Sequence, residues 1–442
     1  MLARLTGTRP EESAIVLLSA AYFFFILSAY YVMRPIREEM GVAGGVENIP
    51  WLFTATLSAM LVAHPIFASI VSRWPRKRFV SITYRFFILN LIVYYFLLSG
   101  VAEDSAAAVW VGRTFFVWIS VFNLFVVSVF WSFMTDIYRE RQSRRLFGLI
   151  GVGGTLGGIV GSSITAFLVG ELSAAALLWF SIVLLECAVA CVRGLDRRVG
   201  KLRSDSAEPA QASKPSQASE PSQASEPDPV IGGSALDGIR RVAGSPYLLG
   251  ICAFMLLFTV GSTFLYNIQA EIMSRTFSDP AERTSAFARI DLAVNVLTLV
   301  TQLFLTGRIM RWLGVGVTLA LLPLLSVAGF LALGAAPVFA VFVVFQVLRR
   351  AGNFAVAVPT REVLYTVLPR RDKYKAKNFN DTFVYRAGDQ VGAWSFAGLG
   401  ALGLGTAALS WFMVPVAGVW LVVALWLGRR QRELAARTSP IV

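Results

Sequence analysis

Long apolar runs separated by short polar segments cover almost the whole chain. Each run holds about 20 residues, which as a helix is long enough to cross the hydrocarbon core of a bilayer. Six such runs precede one long polar segment and six follow it. They span residues 13–33, 50–72, 79–99, 107–134, 146–169, 172–192, 247–270, 285–309, 315–333, 337–358, 379–402 and 406–427. The pattern predicts an all-α membrane protein whose twelve transmembrane helices form two six-helix bundles.

The long polar segment between the two sets of runs covers residues 193–245. It contains the sequence Pro-Ser-Gln-Ala-Ser-Glu twice, at 215–220 and 221–226. Because it contains so few large apolar residues, this segment cannot bury enough surface to offset the entropy cost of ordering it. We therefore expect a disordered linker. The predicted domains are an N-terminal bundle at 1–192, this linker, a C-terminal bundle at 246–428 and a tail at 429–442. Two bundles with a cavity between them are typical of secondary transporters.

Lysine and arginine are concentrated in alternate loops. The basic segments are 73–78, 139–145, 193–203, 308–311, 361–377 and 429–437, whereas the intervening loops are short or acidic. Loops rich in Lys and Arg stay on the cytoplasmic side of a membrane. The alternation therefore predicts that both termini and the linker are cytoplasmic, and that the protein is a multi-pass protein of a bacterial inner membrane.

Composition agrees with this topology and excludes several classes of protein. Hydrophobic residues make up 56% of the chain and charged residues only 15%, against roughly 25% charged residues in soluble domains. The basic loops account for the net charge of +13, so no nucleic-acid partner is expected. Cys187, Cys191 and Cys252 all lie in apolar runs, and no metal-ligand spacing or Ser/His/Asp set is present. We therefore expect no metal, no cofactor, no catalytic residues and no enzymatic activity.

Glycines are concentrated in the fifth and eleventh runs, and a long basic loop precedes each of these runs. The glycines are Gly148, Gly151, Gly153, Gly154, Gly157, Gly158 and Gly161 in the fifth, and Gly388, Gly392, Gly398 and Gly400 in the eleventh. Small residues at such spacings allow helices to approach closely. Related halves of six helices resemble the architecture of the major facilitator superfamily. The basic turn at 72–78 resembles that superfamily's signature loop, although Ser72 and Arg73 stand where its Gly and Asp would be.

A narrower resemblance begins at the end of the first run. Tyr-Tyr-Val-Met-Arg-Pro-Ile-Arg-Glu-Glu at 30–39, followed by Gly-Gly-Val-Glu-Asn-Ile-Pro-Trp-Leu-Phe at 44–53, resembles the nucleotide transporters of plastids and obligate intracellular bacteria. The stretch from Lys377 to Gly388 resembles them more loosely. This ATP/ADP translocase family, which is distinct from the mitochondrial carriers, has twelve spans and handles nucleotides with charged intramembrane residues. The resemblance implies a transporter or antiporter with a nucleotide as the favoured cargo.

Two arginines close to the end of the first run are candidates for substrate binding. Arg34 and Arg37 are spaced i, i+3 and therefore share a helix face. Guanidinium groups make bidentate contacts to phosphate or carboxylate, so this pair could bind an anionic group. The alternatives are that both reach the outer headgroups or pair with Glu38 and Glu39.

Charges within the second half are further candidates, because burying a charge in a bilayer is costly. Arg349 and Arg350 lie well inside the tenth run. Adjacent residues point about 100° apart on a helix, so one could face a cavity while the other pairs with an acid. Arg386 and Asp389 are spaced i, i+3 in the eleventh run, and could pair to hold a gate closed.

Acids and the single histidine are candidates for gating or coupling, and tyrosines for substrate contact. The gating candidates are Glu38, Glu271, Asp291, Asp389 and His64. The histidine could carry a coupling proton, although a structural hydrogen bond is the commoner role. Tyr30, Tyr31 and Tyr266 occupy comparable places in the two halves and could line the cavity or stack on a base.

Three functional classes remain open. The favoured one is a secondary transporter, acting as a monomer in the lipid bilayer, that moves a small organic anion such as a nucleotide by alternating access. The alternatives are a proton-coupled exporter of other solutes and a membrane sensor or scaffold that does not transport. Cations and anions inside the spans are nearly balanced, which suits salt-bridge gating as well as anion binding. No ATP-hydrolysing motif is present, so transport would use gradients or exchange.

Overall fold

The computed structural model describes residues 10–73, 76–102, 105–138, 140–211, 242, 244–369, 376–377 and 379–438. Long helices follow one another along this part of the chain, which contains no β-strand. They are α1 (Pro10–Ala43), α2 (Ile49–Arg73), α3 (Arg76–Gly100), α4 (Ala106–Ile137), α5 (Glu140–Leu168), α6 (Ala174–Gln211), α7 (Pro246–Thr276), α8 (Pro280–Phe304), α9 (Thr306–Ala335), α10 (Phe339–Gly352, a π-helical turn at Asn353–Ala357 and Val358–Leu364), α11 (a π-helical turn at Asn380–Val384 and Tyr385–Ala401) and α12 (Thr406–Thr438).

These helices match the twelve predicted spans. Eleven of the helices in the described part of the chain are long and apolar enough to cross a membrane. The twelfth is α11, whose α-helical part of 17 residues is extended at its start by the π-helical turn. The prediction of an all-α membrane protein with twelve transmembrane helices is therefore confirmed.

In the N-terminal half, the glycine-rich α5 packs closely against another helix, as its glycine spacing predicted, and the structure identifies that helix as α1. Gly153, Gly157 and Gly161 lie one turn apart on α5 and press directly on the backbone of α1. The hydroxyl of Ser28 donates a hydrogen bond to the carbonyl of Gly157 at 3.1 Å, and a side chain at position 157 would overlap the carbonyl of Phe24. Glycine is needed here because the two backbones leave no room for a Cβ atom.

Gly157→Ala is expected to destabilise this half, because the new methyl group would overlap the backbone of α1, which cannot move away cheaply. Overpacking of this kind costs roughly 1–3 kcal/mol. Gly151→Ala is the matched control, because nothing lies within 4 Å of the Cβ position at Gly151. Thermal unfolding of both purified variants in detergent measures the difference. Equal melting temperatures would contradict this account of the α1–α5 contact.

In the C-terminal half, α7 has the central place and packs against α11 and α12. Gly388 and Gly392 of α11 allow the close approach to α7, where Gly392 meets Thr263. Gly398 and Gly400 have open space around them. The predicted role of the glycines in helix packing is therefore confirmed for Gly388 and Gly392 and is wrong for Gly398 and Gly400, as it is for Gly148 and Gly151 of α5, which also have open space around them.

The first helix is longer than its apolar run. The predicted span ended at 33, whereas α1 continues through Pro35 to Ala43. Proline is tolerated inside membrane helices because neighbouring helices and local adjustments satisfy the freed backbone groups. Arg34 and Arg37 consequently lie within the last turns of α1, inside the protein, and not at an exposed helix end.

Helices extend into three segments that the sequence analysis predicted to be linker, tail or loop. The sixth helix continues to Gln211 in the predicted linker, and α12 continues to Thr438 in the predicted tail. The predicted loop at 307–314 belongs to α9, which is interrupted at Gly314, where φ is 69°. Arg, Lys, Glu, Leu and Ala favour helix in water, so polarity marked the end of the bilayer and not the end of the helix. The rest of the predicted linker, 212–241, lies outside the described residues.

The two halves meet most tightly at one end of the molecule. We call the end where α6 finishes and α7 starts the linker face, and the end where α1 finishes and α2 starts the opposite face. One hydrophobic cluster lies within the N-terminal half, and a second within the linker-face end of the C-terminal half. A third cluster, near the opposite face, joins Val42 and Ile49 to residues of α7, α8, α10 and α12. The halves therefore share an apolar core at the opposite face.

Candidate functional site

A cavity of about 340 Å³ lies between the two halves. Helices α1, α2 and α4 supply one wall, and α7, α10 and α11 supply the other. Its lining includes every arginine that the sequence analysis proposed for substrate binding: Arg34, Arg37, Arg349, Arg350 and Arg386. Tyr30, Tyr266, Glu38 and Asp389 line it too. The helices thus bring together residues that lie up to 359 positions apart in the chain.

Two arginines of α1 share one buried carboxylate. Glu38 is only 4% exposed; its Oε1 lies 3.6 Å from Nε of Arg34 and 3.3 Å from Nη1 of Arg37. The guanidinium of Arg37 also lies 4.1 Å from the ring centre of Phe116 on α4. Its Nε is buried and has no hydrogen-bond partner in the part of the chain that the structure describes. This guanidinium retains donor capacity.

Asp291 of α8 connects the two halves. A single oxygen, Oδ1, accepts hydrogen bonds from Nη1 of Arg34 at 2.8 Å and from Nη1 of Arg350 at 2.6 Å. Arg34 belongs to the N-terminal half, whereas Arg350 and Asp291 belong to the C-terminal half. As the sequence analysis expected, one member of the Arg349–Arg350 pair is neutralised by an acid. Both members nevertheless line the cavity.

Arg349 has only neutral partners. Its Nε donates to the hydroxyl of Ser326 at 3.2 Å, and Nη1 and Nη2 donate to the hydroxyl of Ser262 at 3.1 and 3.0 Å. Nη2 also donates to the carbonyl of Phe258, whose ring lies beneath the guanidinium together with that of Trp420. No residue within the described ranges supplies a carboxylate. Because an unpaired buried charge is costly, this 3% exposed arginine is the strongest candidate for an anion contact.

On α11, Arg386 and Asp389 form the local pair that their spacing indicated. Nη1 of Arg386 lies 3.3 Å from Oδ2 of Asp389. The hydroxyl of Thr263 on α7 donates to the other carboxylate oxygen, also at 3.3 Å. This pair connects α11 to α7 within the C-terminal half. In this structure it does not bridge the two halves.

The arginines of the cavity outnumber the acids. Five arginines face three carboxylates, those of Glu38, Asp291 and Asp389. The sequence analysis expected cations and anions to be nearly balanced inside the spans. Glu39 does not add a negative charge at the cavity, because it binds Arg283 at 2.9 Å near the opposite face. An excess of two positive charges therefore remains around the cavity. Charges interact more strongly where water is excluded, so this wall favours anions.

Three predicted residues whose side chains are described are not part of the cavity wall: Glu271, Tyr31 and Asp291. Glu271 lies near the opposite face and accepts a hydrogen bond from the hydroxyl of Thr406. Tyr31 is absent from the lining, and its ring lies 5.8 Å from the guanidinium carbon of Arg34. The side chain of His64 lies outside the described residues, so its predicted role stays a prediction.

Sequence reasoning missed several polar residues of the cavity. On α10, Gln346 and Asn353 line it together with Arg349 and Arg350. Their spacing is i, i+3, i+4 and i+7, which is one face of a helix. The signal was therefore present as a polar stripe in an apolar run. Ser262 had no such signal, because a serine in a membrane helix is common.

Known proteins share this fold. Residues 14–373 match the family model described as Major Facilitator Superfamily. ADP,ATP carrier protein 2 of Chlamydia pneumoniae is 21% identical over 470 residues, which covers 92% of this chain and 87% of that protein. Among solved structures, the nucleoside transporter NupG has a TM-score of 0.60 at 12% identity, covering 95% of this chain and 99% of that chain. The xylose transporter XylE from E. coli, in an inward open conformation, has a TM-score of 0.59 at 11% identity, with 96% and 99% covered.

Proposed function

The chain belongs to the major facilitator superfamily of membrane transporters, and from this premise we propose that it is a secondary active transporter of a small organic anion. The observation that carries the proposal is the positive wall of the central cavity, in which Arg349 is buried and has no carboxylate partner among the described residues. A guanidinium with only neutral neighbours is best compensated by an anion that enters the cavity.

A nucleotide is the first cargo to test. The relative from Chlamydia pneumoniae is named as a carrier of ADP and ATP, and the match extends over 92% of this chain. Arginines suit phosphate oxygens because the planar fork donates two parallel hydrogen bonds. Tyr30, Phe53 and Tyr266 line the same cavity and offer aromatic faces for a base.

Alternating access by rocking of the two halves is the proposed mechanism. The shared apolar cluster closes the opposite face, so the structure corresponds to a state that opens toward the linker face. With the basic loops on the cytoplasmic side, this is the inward-facing state of an inner-membrane protein with both termini in the cytoplasm. A single chain contains both walls of the cavity, so we take the monomer as the transporting unit.

Uptake into proteoliposomes tests the proposed function. The purified protein should take up labelled ADP saturably, and unlabelled nucleotides should compete. Adenosine, which carries the base and ribose without phosphate, should not compete, because it offers nothing to the arginines. Transport of adenosine or xylose without transport of any nucleotide or other organic anion would contradict the proposal.

The orientation gives a separate prediction. A fluorescent protein fused after Arg203, within the extension of α6 beyond the membrane, should fold and fluoresce, since that site is proposed to be cytoplasmic. Alkaline phosphatase fused at the same site should be inactive, because it needs the periplasm. Active phosphatase there would contradict the orientation. Replacing residues 206–228, which include the end of α6, by a Gly/Ser chain of equal length should leave uptake unchanged, because we propose that the segment only connects the two halves.

A further inference from the structure

Asp291 holds two arginines from different halves side by side. Both hydrogen bonds end on the same oxygen, at 2.8 Å from Arg34 and 2.6 Å from Arg350. All three side chains are largely buried, and the acid is the most buried at 4% exposure. Without this carboxylate, Glu38 beside Arg34 would be the one remaining acid at these two guanidinium groups within the described residues, and they would face one another across the interface between the halves. Like charges so close in a region of low dielectric repel strongly.

We propose that Asp291 is a built-in counter-anion that takes the place of the substrate's charge while the cavity is empty. The inference rests on the proposed function in one respect, namely that the cargo is an anion. Both arginines line the cavity, whereas Asp291 does not. Asp291 lies on α8 and accepts its hydrogen bonds from the two arginines outside the cavity wall. An anion entering the cavity therefore reaches the same two guanidinium groups from the open side. Anionic cargo and Asp291 compete for the same charge.

This arrangement determines whether the transporter can complete its cycle without cargo. To close the opposite face, Arg34 and Arg350 must come together, and an anion must lie between them or beside them. Asp291 supplies that charge permanently, so the empty protein can close and return. Net transport follows from this property. A carrier without such a group would reorient only when loaded, and would be limited to exchange.

A second ion pair between α1 and α8 provides a matched control. Glu39 and Arg283 are joined at 2.9 Å near the opposite face, with the acid on α1 and the base on α8. Neither residue lines the central cavity. Breaking this pair also loosens the contact between the halves, but an anion in the cavity cannot replace it.

The first test needs no knowledge of the cargo. Spin labels at Glu171 and Ser278, which are exposed in the connections between helices at the opposite face, report the separation of the halves by pulsed electron resonance. The native cysteines are replaced for this purpose. In empty protein, Asp291→Asn should shift the distribution toward the longer, open distance, whereas Asp291→Glu should resemble the parent. An unchanged distribution in Asp291→Asn would overturn the inference.

Anion rescue distinguishes a counter-anion from a merely structural residue. ADP is the probe, with inorganic pyrophosphate as a second anion. Either anion should return Asp291→Asn to the closed distance, because it restores a negative charge between the arginines. Neither anion should return the Glu39→Gln variant to the closed distance between the spin labels. If both variants respond alike to the anions, Asp291 is a structural latch and the inference fails.

Transport assays provide the second test. In Asp291→Asn, net uptake of ADP into empty proteoliposomes should fall at least tenfold, while exchange in ADP-loaded proteoliposomes should stay within about threefold of the parent. Equal loss of both modes in folded protein would overturn the inference. If the parent does not transport ADP at all but the distance shift of Asp291→Asn occurs, the nucleotide proposal fails and the counter-anion inference stands.

Discussion

Arg349→Met is expected to make the protein more stable and unable to transport an anion. The arginine is buried at 3% exposure, and within the part of the chain that the structure describes its partners are hydroxyl, carbonyl and aromatic groups. Methionine has a similar length and needs no counter-charge. Replacing whole buried ion pairs by apolar residues of similar volume is often neutral or stabilising by about 1–4 kcal/mol, and a buried charge without an ion-pair partner has still less to lose. We therefore expect a melting temperature a few degrees above that of the parent.

The neighbours of Arg349 tolerate this change. The hydroxyls of Ser262 and Ser326 also donate to the carbonyls of Phe258 and Leu322, at 2.8 and 2.9 Å. Neither hydroxyl is left without a hydrogen bond when the guanidinium is removed. The anion, in contrast, loses its least compensated partner. Hydrogen bonds to charged groups contribute about 1.5–3 kcal/mol each, so losing two of them should lower anion binding at least about 100-fold.

Arg386→Met is the control for Arg349→Met. It removes the same kind of side chain from the same cavity, but leaves the buried carboxylate of Asp389 without its ion-pair partner. Breaking a fully buried pair costs about 3–5 kcal/mol; Arg386 is 34% exposed, so the cost is smaller here, but the melting temperature should still fall. Differential scanning fluorimetry and ADP uptake measure both variants. If Arg349→Met melts as low as Arg386→Met, or transports like the parent, the assignment of Arg349 is wrong.

Arg34→Lys and Arg37→Lys are expected to lower anion binding by roughly 100-fold, because an ammonium group cannot reproduce the planar fork of guanidinium. Arg34 contacts Asp291 and Glu38 at once, which requires nitrogens on two sides of one group. The compact ammonium group of a lysine at 34 could reach Asp291, Glu38 or an incoming anion, but it could not bond two of these partners with the geometry of a guanidinium group. The positive charge is retained in both variants, so any loss reflects geometry.

Arg113→Lys is the control for these substitutions. Arg113 donates to the carbonyl of Gly44 at 3.1 Å, lies over the ring of Trp110, and is not part of the central cavity. Its substitution should leave binding and uptake within about twofold of the parent, since lysine can also donate to a carbonyl. If uptake by the two α1 variants falls while binding holds, these arginines act in gating. If all three variants bind like the parent, the arginines of α1 do not hold the anion.

The parts of the fold that sequence predicted depend on local signals. The spans follow from the length of apolar runs, and the close packing of α5 follows from small residues at helical spacing, although its partner α1 does not. The pairing of Arg34 with Glu38 follows from the i, i+4 spacing of one helix, whereas the contact of Arg37 with the adjacent Glu38 has no such helical spacing. Each of these signals can be recognised within a single segment of the sequence, so none of them requires knowledge of the tertiary arrangement.

The parts that sequence did not predict depend on contacts between distant segments. Arg34 and Asp291 are 257 positions apart, and no local pattern indicates that they meet. The end of α1 was misplaced because Pro35 resembles a helix terminator, whereas in a membrane bundle the helix continues. The distinct environments of Arg349 and Arg350 also needed the neighbours of α10: serines and a carbonyl for the first, Asp291 for the second.

The central claim is that a positively charged cavity binds an organic anion, and a charge series of ligands tests it most directly. Binding of adenosine, AMP, ADP and ATP to the purified protein is measured by titration calorimetry, for the parent and for Arg349→Met. We predict that adenosine does not bind measurably, that affinity increases once phosphate is present, and that Arg349→Met loses at least about 100-fold in affinity for the phosphorylated ligands. Adenosine binding as tightly as ADP in the parent, or equal affinity of the parent and Arg349→Met for ADP, would contradict the claim.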